Sequence, residues 1–138
     1  MGWRGYLLPR MVQARWPAPL ILSGLIWGVW HFPLFVFTGY GAGFPLAGAA
    51  LFTLIAILFS VFIGWLRLAS GSVFVAAMAH ASFNSFVQSF FGPSFEGDGA
   101  WFLIGDYGVL TILPYVILAA YLWSSGRVRT ALMTSTPI

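Results

Sequence analysis

Residues Ala76–Gln88 read A-A-M-A-H-A-S-F-N-S-F-V-Q, inside an apolar run from Ser72 to Phe91 that carries no formal charge. A run of that length can cross a bilayer. At helical spacing His80, Asn84 and Gln88 recur every fourth residue and stack on one face. Ala76 and Ala77 extend the face backwards, while Ala81, Ser82 and Ser85 keep the helix slim. A histidine in hydrocarbon faces a bundle interior or a water-filled cavity. The segment reads as the polar spine of a membrane protein.

The composition agrees. Of 138 residues, 60% are hydrophobic and 19% aromatic, and only 7% are charged, against roughly 25% in a typical soluble domain. Mean hydropathy is +0.92. A soluble fold of this length has too little interior to hide so much apolar surface. The absence of cysteine excludes thiol nucleophiles, disulfides and thiolate metal sites. All six basic residues are arginine and the net charge is +3. They form no dense basic stripe, so nucleic acid is not an expected partner; the bilayer is.

Four spans are expected, at about 20–37, 46–66, 72–91 and 107–123, in a single 138-residue unit without internal repeats. Met1–Trp16 carries Arg4, Arg10 and Arg15 and is too sparse in apolar residues for a signal peptide. It reads as an interfacial segment with aromatic and arginine anchors. In the first span Gly24 and Gly28 form a small-xxx-small pair that lets two helices approach closely. Trp27 and His31 share that face. Pro33 cannot bond the Val29 carbonyl, so a kink is expected one turn from His31. The second span is apolar all round and reads as packing and lipid contact without chemistry. A Gly-rich turn, Thr38–Pro45, precedes it, and Arg67–Gly71 follows as a tight connection. Glu96 and Asp98 fall in a loop, Asp106 at the start of the fourth span, and Pro114 is expected to kink that span. The tail to Ile138 reads as loose.

The arginines fix an orientation. Three precede the first span, Arg67 lies between the second and third, and Arg127 and Arg129 follow the fourth. Four spans with both termini cytoplasmic satisfy the positive-inside rule at every loop. The first and third spans then run in the same direction. His31 lies roughly 16 Å beyond Leu20 and His80 roughly 12 Å beyond Ser72, at 1.5 Å per residue, so the imidazoles sit at similar depth. For either histidine alone, an imidazole bonded to a carbonyl or hydroxyl is the plain alternative; two at matched depth, with Asn84 one turn on, argue for a site.

Three chemistries fit two histidines and an amide in a membrane. They could polarise water for hydrolysis beside a carboxylate base, ligate a haem iron axially from each helix, or form a proton relay or transport site. A catalytic zinc usually takes three strong protein ligands plus water, and His31 and His80 with a weak amide fall short. The missing partner is a carboxylate, and the three acids of the chain read as too shallow to supply it.

Gly2–Arg10 (GWRGYLLPR), Trp27–His31 (WGVWH) and His80–Asn84 (HASFN), in that order and spacing, resemble the CPBP family of intramembrane proteases. That family comprises the type II CAAX prenyl endopeptidases and the Abi-type bacteriocin-processing and immunity proteins. Its pattern runs E-E-x-x-x-R, then aromatic-x-x-x-His, then His-x-x-x-Asn or Asp. The resemblance implies an all-α integral membrane protein, a four-transmembrane-helix bundle forming the C-terminal half of a CAAX-protease-like fold, in a bacterial or archaeal cytoplasmic membrane. By resemblance, His31, His80 and Asn84 are catalytic, with Arg4 and Trp27 in support. The first histidine serves the water and the second, with the amide, serves the oxyanion. Arg4 would brace the paired carboxylates, although on its own it also reads as a snorkelling anchor. Zinc on His31 and His80 and a metal-independent mechanism fit the resemblance equally. The implied partner is a peptide or prenylated-protein C-terminus. Aligning Arg4 places the family's two glutamates at the two positions before Met1, so the chain is expected to lack the catalytic pair and to show little or no peptidase activity. A non-catalytic scaffold or immunity protein, and a bis-histidine haem protein, are the competing readings.

Overall fold

The computed structural model describes residues 2–40, 44–91, 100–103, 105 and 107–135. Among them the only regular elements are helices. A π-helical turn, π1 (Gly2–Leu7), leads into α1 (Leu8–Gln13). Then come α2 (Pro19–Trp30), α3 (Phe32–Phe37), α4 (Pro45–Ser70), α5 (Val73–Phe83), a second π-helical stretch π2 (Asn84–Phe91), α6 (Ala100–Leu103), α7 (Val109–Ser124) and α8 (Arg127–Thr134).

The 26-residue α4 is the hub, touching α2, α3, α5, α7 and α8. It begins at Pro45, whose missing N–H costs nothing in a first turn. It ends at Gly71, which takes the left-handed conformation (φ 67°) that favours glycine. Two apolar clusters lie along it. One joins Trp27 and Phe35 to Phe52, Phe59 and Ile63, and the other joins Leu8 and Leu20 to Val61, Leu122 and Val128.

The α2–α4 contact is the tightest. A Cβ added at Gly24 would lie 2.6 Å from the Ile57 Cα, and one at Gly28 would lie 2.8 Å from the Thr53 Cα. Real side chains do not pack that closely, so the two backbones meet only because both positions are glycine. The expected small-residue face is thus an interface, and Trp27 is buried in it between the two glycines.

Pro19–Phe37 (mean hydropathy 1.8) and Pro45–Ser70 (2.6) are each long and apolar enough to span a membrane, and α7 with α8 adds a third if that bent pair is one span. Among the described residues the four expected spans therefore correspond to two helices of sufficient length, or three. The stretch expected as the third span is helical but divided between α5 and π2. Helix α7 runs through Pro114, and the sharp bend of 65° falls beyond it, at the connection to α8, where Gly126 has a φ of 72°. The tail is not loose as far as Thr134. It forms α8, with Val128 and Ala131 buried. The acidic positions Glu96, Asp98 and Asp106 and the middle of the Gly-rich turn lie outside the described residues.

Substituting Gly28→Ala is expected to destabilise the chain by about 1–3 kcal/mol, the usual penalty for overpacking a close contact. Gly2→Ala, whose Cβ would meet nothing within 4 Å, should leave stability unchanged. Thermal unfolding in detergent, followed by tryptophan fluorescence, separates the two.

Candidate active site

Trp27 organises the site. Its buried indole meets the His31 imidazole edge-on at 5.9 Å between centroids and the His80 imidazole at 5.2 Å. The Arg4 guanidinium lies 5.3 Å from the same ring, within the range of a cation–π contact. Four of the five residues singled out from the sequence thus converge. The fifth, Asn84, shares a cavity with Arg4, Trp27 and His80.

Two cavities flank this cluster. The smaller, about 250 Å³, is lined by Arg4 and His80, with Ala76, Ala77 and Ala81 leaving the space open. The larger, about 430 Å³, is lined by His31 and His80 together with Trp30, Tyr40 and Gln88. Trp27, His80 and Asn84 line both. Both imidazoles are half-buried and Asn84 is exposed, so a reactant can reach all three.

Local folding sets the imidazoles. Helix α2 stops at Trp30 and α3 resumes at Phe32. Pro33 leaves the ladder one N–H short there, and the His31 N–H turns to the Gly28 carbonyl at 3.0 Å. The break expected near Pro33 therefore falls on His31 itself. The His31 Nδ1 lies 2.8 Å from the Trp27 carbonyl. A carbonyl can only accept, so Nδ1–H donates and Nε2 is left as the basic nitrogen. The ring of His31 also packs on Phe52 and Trp30 at 4.6 and 4.9 Å. His80 is steadied by Phe59 at 5.9 Å. At Asn84 the chain passes from α-helix to π-helix, whose wider turn bonds residue i to i+5. Even so, His80, Asn84 and Gln88 all line the larger cavity, as their four-residue spacing predicts.

Arg4 is buried (7% exposed), so it is not a snorkelling anchor. Its Nη2–H donates to Ser60 Oγ at 2.6 Å. Ser60 and Ser23 lie 3.2 Å apart, and Ser23 Oγ–H donates to the Leu20 carbonyl at 3.1 Å. A consistent proton order runs from Arg4 to Ser60 to Ser23 to Leu20, each bond reinforcing the next. Among the described residues the Arg4 Nε–H and Nη1–H have no acceptor. Such orphaned donors on a buried cation are costly, and a carboxylate is the group that would satisfy them. Ser23 and Ser60 were not singled out from the sequence; a lone serine in an apolar span reads as packing.

The donor set does not by itself complete a catalytic zinc site, which takes three strong protein ligands. Among the described residues no three His, Cys, Asp or Glu side chains converge. His31 and His80 provide two nitrogens and Asn84 a weak amide.

The chain belongs to the Rce1-like family of type II CAAX prenyl endopeptidases, whose family model matches residues 1–86. Those residues include Arg4, Trp27, His31, His80 and Asn84. With its long apolar helices, the chain is an integral membrane protein of the CAAX-protease type. No curated protein and no solved structure matches it.

Ser60→Ala is expected to cost about 1–3 kcal/mol, because it leaves a third buried Arg4 donor unsatisfied. In an Arg4→Met background the same change should cost much less. A double-mutant cycle read by thermal unfolding gives the difference.

Proposed function

We propose that this chain supplies the histidine and oxyanion half of an intramembrane endopeptidase site, acting on a peptide bond in a membrane-associated substrate such as a prenylated C-terminus. The observation that supports it is the meeting of His31, His80 and Arg4 on the indole of Trp27. Hydrolysis needs a base to take a proton from water and donors to meet the negative charge that develops on the carbonyl oxygen. His31, with Nδ1–H tied to a carbonyl, presents Nε2 to hold the water. His80 and Asn84, which line both cavities, are placed to donate to the oxyanion. The apolar walls exclude bulk water and strengthen these interactions.

The carboxylate base is the remaining requirement. Among the described residues there is no carboxylate, and the orphaned Nε–H and Nη1–H of buried Arg4 mark where one would be held. We propose that the 138-residue chain binds a peptide at these cavities and hydrolyses it poorly, and that a Glu pair braced by Arg4 completes the machinery. The span arrangement proposed with this reading is four crossings with both termini cytoplasmic, which the arginine distribution supports.

The test is a farnesylated CAAX peptide in liposomes, presented to the chain with and without Glu-Glu placed directly ahead of Met1. The extended chain should cleave it and the 138-residue chain should not. In the extended background His31→Ala and His80→Ala should abolish cleavage. Asn84→Ala should lower kcat by about 10²–10³, the usual loss of an oxyanion donor. An extended, folded chain that leaves the peptide intact would overturn the reading.

A further inference from the structure

A second cavity site lies at the far end of α4 from the histidines. It encloses about 650 Å³ and is lined by Arg15, Arg67, Gln13, Thr134 and Ser135, with Leu68 and Leu132 among its apolar walls. Arg67 is buried (7% exposed), and among the described residues its Nε–H has no hydrogen-bond partner. Among the described residues no carboxylate is available to neutralise it. A buried cation without a counter-charge is strongly disfavoured, so an anion in this cavity would satisfy what the protein leaves open.

The donor inventory narrows the ligand. Thr134 Oγ1–H donates to the Thr130 carbonyl at 3.0 Å, Ser135 Oγ–H to the Leu132 carbonyl at 3.2 Å and Ser70 Oγ–H to the Leu66 carbonyl at 2.6 Å, so no hydroxyl proton of the lining is free. Gln13 accepts from Arg10 Nη1 at 3.0 Å through Oε1, which leaves its amide N–H groups as donors. The groups facing a ligand are therefore the Arg15 and Arg67 guanidiniums and one amide. That set offers two positive charges and no negative one. Planar guanidiniums match phosphate oxygens with paired, charge-assisted bonds. Leu68 and Leu132 supply apolar walls that a bare inorganic ion would not use but a glycerolipid would. Arg15 precedes the apolar span Pro19–Phe37 and Arg67 lies in the last turn of α4, so each stands where a long apolar segment ends, the position at which a basic side chain meets anionic lipid.

We propose that this cavity is a binding site for an anionic phospholipid, with Arg67 and Arg15 holding the head-group phosphodiester. The lipid neutralises Arg67 and ties together α1, α4 and α8, whose ends form the walls. This site is separate from the histidine cavities and does not depend on peptidase activity.

The experiment is native mass spectrometry of the intact 138-residue chain released from detergent containing equal phosphatidylglycerol and phosphatidylcholine. The wild type should retain one phosphatidylglycerol in preference to phosphatidylcholine, and millimolar inorganic phosphate should not displace it. Arg67→Gln and Arg15→Gln should each reduce retained phosphatidylglycerol by about tenfold or more, as loss of a charge-assisted phosphate contact predicts. Arg129→Gln, an exposed arginine that does not line the cavity, should leave retention unchanged. Arg15 is exposed, so its variant tests the site even if Arg67→Gln does not fold. Equal retention of the two lipids would overturn the proposal. So would unchanged retention in Arg15→Gln, an equal loss in Arg129→Gln, or displacement by inorganic phosphate.

Discussion

The approach of α2 to α4 at Gly24 and Gly28 is the contact on which the rest depends. A Cβ at either glycine would overlap backbone rather than the end of a flexible side chain, so the separation of the two helices is fixed by residue type. Trp27 lies between those glycines and is pressed into the interface, where its indole becomes the surface that both imidazoles and a guanidinium touch. Were the helices farther apart, Ser23 and Ser60 would not reach each other and the chain of bonds that holds Arg4 would break. A van der Waals contact between two backbones thus positions a polar cluster at membrane depth.

That cluster shows how a chain with so few charges handles the ones it buries. Arg4 is partly satisfied, by one serine and one aromatic face, and keeps two donors open. Arg67 is buried with an open donor at the other end of α4. In hydrocarbon each unsatisfied donor is expensive, and buried arginines with open donors mark places where a further group belongs. At Arg4 the group proposed is a carboxylate. At Arg67 it is a lipid phosphate.

Much of this was legible in the sequence, for identifiable reasons. Gly24, Trp27, Gly28 and His31 share a face because α2 keeps the 3.6-residue period over its whole length, and the close packing follows from two small residues four apart. His80, Asn84 and Gln88 were legible on the same rule and line one cavity, even though the chain passes into π2 at Asn84. Ser60 escaped notice since nothing in its neighbourhood distinguishes a hydroxyl that holds an arginine from one that bonds its own helix. The helical tail was missed because Arg127–Thr134 is polar in composition, and its fold depends on Val128 and Ala131 finding a place in the core. The burial of Arg4 depended on tertiary contact fifty-six positions away, which no local pattern encodes.

The central claim is that Trp27 brings the two histidines to one place, and solid-state NMR in lipid bilayers tests it directly. The chain has only two histidines, so ring-labelled histidine combined with indole-labelled tryptophan gives few cross-peaks, and Trp27→Phe identifies those of Trp27. Through-space contacts from the Trp27 indole to both imidazoles are expected, with His31 protonated at Nδ1 and bare at Nε2. Contacts to only one imidazole, in a chain that is otherwise folded, would contradict it.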